Sequence, residues 1–177
     1  MSTIRFEEKL EKINGWIILR LPKDASVQLP SRGQVMVKGT INDFGFQTAL
    51  EPDGNGNHWL HIDKAMQKAV KIDVGDTATL AIEATKDWPE PVIPKDVQTG
   101  IVDHPQTHAL WERVTPMSRW EWLRWIGSTK NPDTRKKRIE VSRSKLLNGL
   151  RRPCCFNRSM CCVPDVSKNG VLLAPGA

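Results

Sequence analysis

The sequence predicts an α+β protein, a small β-barrel of six short strands followed by a small helical domain. Three observations carry that reading. Up to about residue 87, apolar residues alternate with polar ones in short runs, broken by Gly, Asn, Asp and Pro. Residues 87–94 then hold three prolines and no period. From residue 95 onward the apolar spacing becomes helical.

Taken in order, Ile4, Phe6 and, after a shift of register, Leu10 mark a first strand. Asn14-Gly15 is a two-residue hairpin turn, because both central positions of that turn need positive φ. A second strand over 16–21 stops at Pro22, and strands over 33–41 and 43–50 follow. Residues 51–57 are dense turn chemistry, leading into a strand over 58–62. Asp63 is placed to cap a helix over 64–70, and Val74-Gly75-Asp76 turns the chain into a sixth strand over 78–84. Six strands and one helix at this spacing make a closed or split barrel. Residues 88–94 read as a linker.

The second domain, 95–152, reads as four helices. They cover 95–102, then 104–114 with Pro105 in the first turn, then from Thr115 or Pro116 to Gly127. The fourth is opened by Asn131-Pro132 and closed by Gly149. Residues 153–177 form a cysteine-bearing tail with one short strand expected at 171–173.

Composition narrows the setting. A mean hydropathy of −0.42 is that of a globular chain, and no apolar run approaches the ~20 residues of a membrane span. The N-terminal residues mix acids and bases where a signal peptide has an apolar core, so a cytoplasmic location is expected. The formal charge of +6 is local: residues 130–158 hold ten Lys and Arg against two acids, so the rest of the chain is slightly acidic.

Three groups of residues invite a function. Four of the seven tryptophans fall between 111 and 125. On a helical wheel Met117, Trp120, Leu123 and Ile126 cover one side, and Trp122 and Trp125 lie on a neighbouring sector. Those two either dock in an interface or form a platform on which a ligand or base stacks. In the fourth helix Ile139, Leu146 and Leu150 make the apolar stripe. Arg135, Lys136, Lys137, Arg138, Arg143 and Lys145 are then either a solvated, ion-paired face or candidate contacts for an anion or nucleic acid. Cys154, Cys155, Cys161 and Cys162 sit within nine residues, where four thiols could hold a soft metal such as zinc or remain free. His104 and His108 share a helical face but lack a third ligand, and His58 and His61 point to opposite faces of a strand. No paired carboxylates with a pocket context and no nucleophile elbow are visible, so no catalytic residue and no cofactor beyond that zinc are expected.

Larger motifs give a resemblance. The V-x-G-T-I-N strand at 37–42, the P-x-G-x-G-x-H turn at 52–58, a helix, and Gly75-Asp76 before the last strand resemble a bacterial domain of unknown function. That resemblance implies a double-split β-barrel, an architecture shared with swapped-hairpin transcription factors that dimerise. The second part resembles the YdeI/OmpD-associated family, described as bacteriocin-protection proteins. Its signature is a tryptophan helix ending in W-I, then K-x-P-x-T-R-x-x-R-I. Here these are Trp125-Ile126 and the run from Lys130 to Ile139, with Thr129 where the family commonly has alanine. Together the resemblances cover residues 3–153 and imply domain arrangement more than activity.

The expectation is therefore a non-enzymatic stress or bacteriocin-tolerance protein that binds a protein or small-molecule partner, with a homodimer as its candidate assembly. A nucleic-acid-binding regulator using the basic helix, and a thiol or metal protein using the cysteines, are the alternatives.

Overall fold

A computed structural model describes residues 2–153 and 158–175. The chain divides into two compact units: residues 2–87 together with 158–175, and residues 88–153.

The first unit is a curled antiparallel sheet. Its strands are β1 Ile4–Lys9, β2 Glu11–Ile13, β3 Trp16–Arg20, β4 Val35–Ile41, β5 Phe44–Pro52, β6 His58–His61 and β7 Thr77–Ala84. They lie in the order β1-β7-β4-β5-β6-β3-β2, seven strands against the six expected. The extra strand comes from Leu10, where the chain changes partner: β1 pairs with β7, and β2 pairs with β3. The Leu10 amide donates to Asp76 O and its carbonyl accepts from Gly75 N, both with the side chain buried. The shift of register visible in the sequence is this switch. Strand β5 is long enough to join the two halves, since residues up to Leu50 pair with β4 and Glu51 and Pro52 pair with β6.

Turn chemistry sets the hairpins. Asn14 and Gly15 have φ of 47° and 84°, and Ile13 faces Trp16 across them. Asn42 and Asp43, at 44° and 68°, turn β4 into β5 in the same way. Helix α2, Lys64–Val70, starts where Asp63 Oδ1 accepts from the Met66 amide at 2.8 Å. A short helix absent from the sequence reading, α1 Lys23–Ser26, follows Pro22.

Alternation fills the inside of the curl with Ile4, Leu19, Val35, Val37, Ile41, Leu50, Leu60, Leu80 and Ile82, closed by Leu21, Leu29 and Met66. Strands β3 and β6 are apolar at consecutive positions because both of their faces are covered. The outer face, Ile13, Ile18 and Trp59, packs against Cys161, Val163, Val166 and Leu172. The segment read as a loose tail is thus a second cover for the sheet. It carries a hairpin, β8 Ser167–Lys168 and β9 Val171–Leu172, turned by Asn169 and Gly170. The Leu172 amide donates to Asp53 O at 2.8 Å, Gly54 N donates to Ser159 O at 3.1 Å, and the Arg20 guanidinium donates to Leu173 O. Gly54 is required here twice over. Its φ is +85°, and a Cβ on it would stand 2.1 Å from Gly170 O.

The second unit is helical. Helix α3, Lys95–Val97, runs into a π-helical turn, Gln98–Val102, and is followed by α4 His108–Arg113, α5 Pro116–Gly127 and α6 Pro132–Leu147. Its core is Val97, Ile101, Trp111, Val114, Trp122, Ile126, Ile139 and Leu146. Gly100 sits in the π turn against α6, where a Cβ would meet Ile139 Cγ2 at 2.6 Å. The helix expected from His104 begins only at His108. Thr107 Oγ1 donates to Ile101 O and His108 Nδ1 donates to Val102 O, so these residues close the preceding turn instead. Residues 88–94 have no regular structure but pack on α5. Trp88 meets Trp120 edge-on at 6.3 Å, Trp120 Nε1 donates to Pro89 O, and Arg119 pairs with Glu90 at 2.7 Å.

Two wheel positions need correction. Met117 is exposed, and α5 buries Ser118, Trp122 and Ile126. Leu150 is exposed because α6 ends at Leu147, and Gly149 at φ +83° turns the chain away. No helix among the described residues is long and apolar enough to cross a membrane.

Candidate functional site

The basic helix begins at a strong stop-start signal. Asn131 Oδ1 accepts from the Asp133 and Thr134 amides, and Pro132 occupies the first turn. That fixes where its cations point. Arg135 pairs with Asp96 of α3, Nε to Oδ2 at 2.6 Å and Nη2 to Oδ1 at 3.0 Å. Hydrogen bonding to Arg135 holds the Asp96 carboxyl below the usual aspartate range, and Asp96 raises the Arg135 guanidinium in return. Arg138 donates to Trp125 O and Ser128 Oγ, so it satisfies carbonyl and hydroxyl groups at the C-terminal end of α5. Arg143 donates to Gly100 O at 3.0 Å, and Lys145 donates to Pro153 O. Four of the six candidate contacts therefore staple the helical unit together. Lys136 and Lys137 are exposed and have no hydrogen bond or ion pair among the described residues.

The two candidate stacking residues are also built in. Trp122 is 0 % exposed, with Nε1 donating to Arg151 O, so it has no face to offer a ligand. Trp125 is half-buried, and the Arg138 guanidinium and Lys145 ammonium lie over its ring at 5.4 and 4.8 Å. The K-x-P-x-T-R-x-x-R-I run thus serves to seat α6 on α3 and α5.

Of the candidate metal ligands, Cys154 and Cys155 lie outside the described residues. Cys161 is buried at 4 % exposure in the cover of the sheet, and Cys162 is half-buried beside it. Among the described residues no group of three His, Cys, Asp or Glu is placed to hold a metal ion. His58, expected on the face of its strand opposite His61, which is exposed, is buried against Ser26. Its Nε2 can only donate to Gly33 O, at 2.8 Å, so Nδ1 accepts from the Ser26 hydroxyl at 2.7 Å. Burial lowers its pKa. With Arg32 donating to Ser26 O, Leu29 O and Gly56 O, the pair locks the segment between β3 and β4. This is a structural latch, since both groups are sealed and the imidazole proton is held by a carbonyl.

The outward face of β1, β7, β4 and β5 holds an open furrow of about 740 Å³. Its residues come from two rungs of the sheet. One rung is Arg5, Ala81, Thr40 and Gly45, the last three being small. The next is Glu83, Lys38 and Gln47, whose longer side chains form a wall. Thr3 lies at the β1 end. Arg5, Lys38 and Glu83 make no hydrogen bond or ion pair among the described residues, although Lys38 and Glu83 face each other across β4 and β7. Alternation along each strand marks these side chains as outward. That they converge depends on the pairing of four strands, which no local signal contains.

Comparison with known families follows the two units. Residues 5–82 match the family described as a domain of unknown function, DUF1905, and residues 90–149 match the family described as bacteriocin-protection, YdeI or OmpD-associated. No curated protein matches the chain. The furrow lies on strands of the first match and the stapled basic helix lies within the second, while the covering segment from 158 to 175 falls outside both. The sheet of this chain is thus similar to the DUF1905 domain, and its helical unit to the bacteriocin-protection, YdeI or OmpD-associated family.

Proposed function

We propose that this is a non-enzymatic bacteriocin-tolerance protein that acts by binding, and that the furrow holds its small-molecule ligand. The observation that carries the reading is a cavity with three ionised side chains, Arg5, Lys38 and Glu83, that the fold itself does not engage. Its lining has cations, a carboxylate, an amide and hydroxyls, and no nucleophile beside a base, which suits recognition rather than bond chemistry. The match of the helical unit to the protection family supplies the physiological setting. The same reading takes the curled sheet as a split barrel of the dimerising kind and places the protein in the cytoplasm without a resident cofactor.

The test is survival of a sensitive bacterial strain that expresses the protein, challenged with a pore-forming and with a nuclease bacteriocin. Arg5→Gln with Lys38→Gln should abolish any protection while leaving the thermal midpoint in place, since neither side chain holds the fold. Full protection by that double variant would overturn the reading.

A second reading, a nucleic-acid-binding regulator, draws on exposed Lys136 and Lys137. It requires binding that weakens steeply with salt and is lost in Lys136→Ala with Lys137→Ala.

A further inference from the structure

Gly45 is the second residue of β5, one pair beyond the turn at Asn42 and Asp43, and glycine in a strand usually marks a turn, a bulge or a close approach. The turn itself does not require it. Its φ is not in the positive region, it is in register with Thr40 of β4, and a Cβ placed on it would meet nothing within 4 Å. Gly39, one rung away, is the contrast: its Cβ would lie 2.0 Å from Ala81 O, so the fold demands it. What the missing side chain at Gly45 does leave is depth, because Gly45, Thr40 and Ala81 form the floor of the furrow.

The charges around that floor define what fits. Arg5 stands at one end of the small-residue rung, and Glu83 and Lys38 stand side by side in the next. A simple anion drawn to Arg5 and Lys38 meets repulsion from Glu83, and a simple cation meets the reverse. From strand and rung spacings, the Arg5 and Glu83 backbones are ~8 Å apart. The termini of a dipeptide are separated by ~7 Å when extended. We infer that the furrow binds a zwitterionic peptide of two or three residues, with its ammonium on Glu83, its carboxylate on Arg5 or Lys38, and its neutral body over Ala81 and Thr40. This inference rests on the binding reading given above and names its ligand.

The experiment is an amide-shift titration of the full chain, using Ala-Ala as the probe beside N-acetyl-Ala-Ala and Ala-Ala amide. Saturable shifts confined to β1, β7 and β4 around the furrow are expected for Ala-Ala. Each blocked peptide should bind about fivefold weaker or worse, the loss of one exposed ion pair. Ala81→Leu, which raises the floor between Arg5 and Glu83, should abolish the shifts while an unchanged thermal midpoint shows that the variant folds. Glu83→Gln should weaken Ala-Ala and, by removing a repulsion, strengthen N-acetyl-Ala-Ala. Absence of saturable shifts up to ~10 mM, equal binding of all three peptides, or wild-type binding by a folded Ala81→Leu would each overturn the inference. If Ala-Ala fails while Arg5→Gln with Lys38→Gln still abolishes protection, the ligand class is wrong and the binding reading stands.

Discussion

Replacing Leu172 by alanine tests whether the segment from 158 to 175 is a true part of the sheet's core. Leu172 is 6 % exposed and packs in the cluster with Ile13, Ile18 and Trp59. Truncating a buried leucine typically costs about 2–5 kcal/mol. The low end applies here, because a cover lying on a surface can settle into the space left behind, so about 2.5 kcal/mol is expected for opening of this segment. At about 1.4 kcal/mol per decade that is roughly a 60-fold rise in the open population. The assay is native-state amide exchange at three reporters, Leu172 N–H on Asp53 O, Cys161 N–H on Gly170 O and Gly54 N–H on Ser159 O. All three should lose protection together, while amides of β4 and β7 keep theirs. A loss under about threefold at the three reporters would mean that burial of Leu172 contributes almost nothing, and the account of the second core would be wrong.

Asp96→Asn should flatten the acid limb of the helical unit's stability. Arg135 lowers the Asp96 pKa, so the unfolded chain binds the proton first, and this stability is present above the usual aspartate value of about 3.9 and is lost as pH falls below it. At neutral pH the substitution should cost no more than about 1 kcal/mol, because Asp96 is 45 % exposed. His58 acts in a higher window. Burial lowers its pKa, so the β unit should lose stability as pH falls from about 6.5 toward the folded value, and urea midpoints of His58→Gln should show a shallower slope there. With a maleimide, Cys162 should react faster than buried Cys161, and equal rates would contradict the described packing. Metal analysis of freshly purified protein beside Cys161→Ser with Cys162→Ser tests for the zinc that the four thiols could hold. Zinc present in the wild type and lost in the variant would turn the cysteine run into a metal site.

What the sequence made legible is what short-range chemistry controls. Asp63 before an apolar run marked α2, Asn14-Gly15 marked its hairpin, and Asn131-Pro132 marked the start of α6 to the residue. Family motifs then located both units. What stayed hidden depends on partners far along the chain. Charge density around Arg135, Arg138 and Arg143 was visible, but the groups that absorb it, Asp96, Trp125 O and Gly100 O, were not. The furrow needed the registers of β1, β7, β4 and β5 at once. The cover was obscured because Val163, Val166 and Leu172 lie in a segment with too little periodicity to reveal a buried face.

The covering segment also sets an order of events during synthesis. β6 leaves the ribosome roughly a hundred residues before β9, with the whole helical unit between them. At about 5–20 residues per second, Trp59 and Ile18 stay uncovered for several seconds in every nascent chain. During that interval the half-built sheet presents an apolar face that chaperones can hold. A chain cut short within the helical unit keeps that face permanently, so burial of Trp59 reports that translation has reached β9.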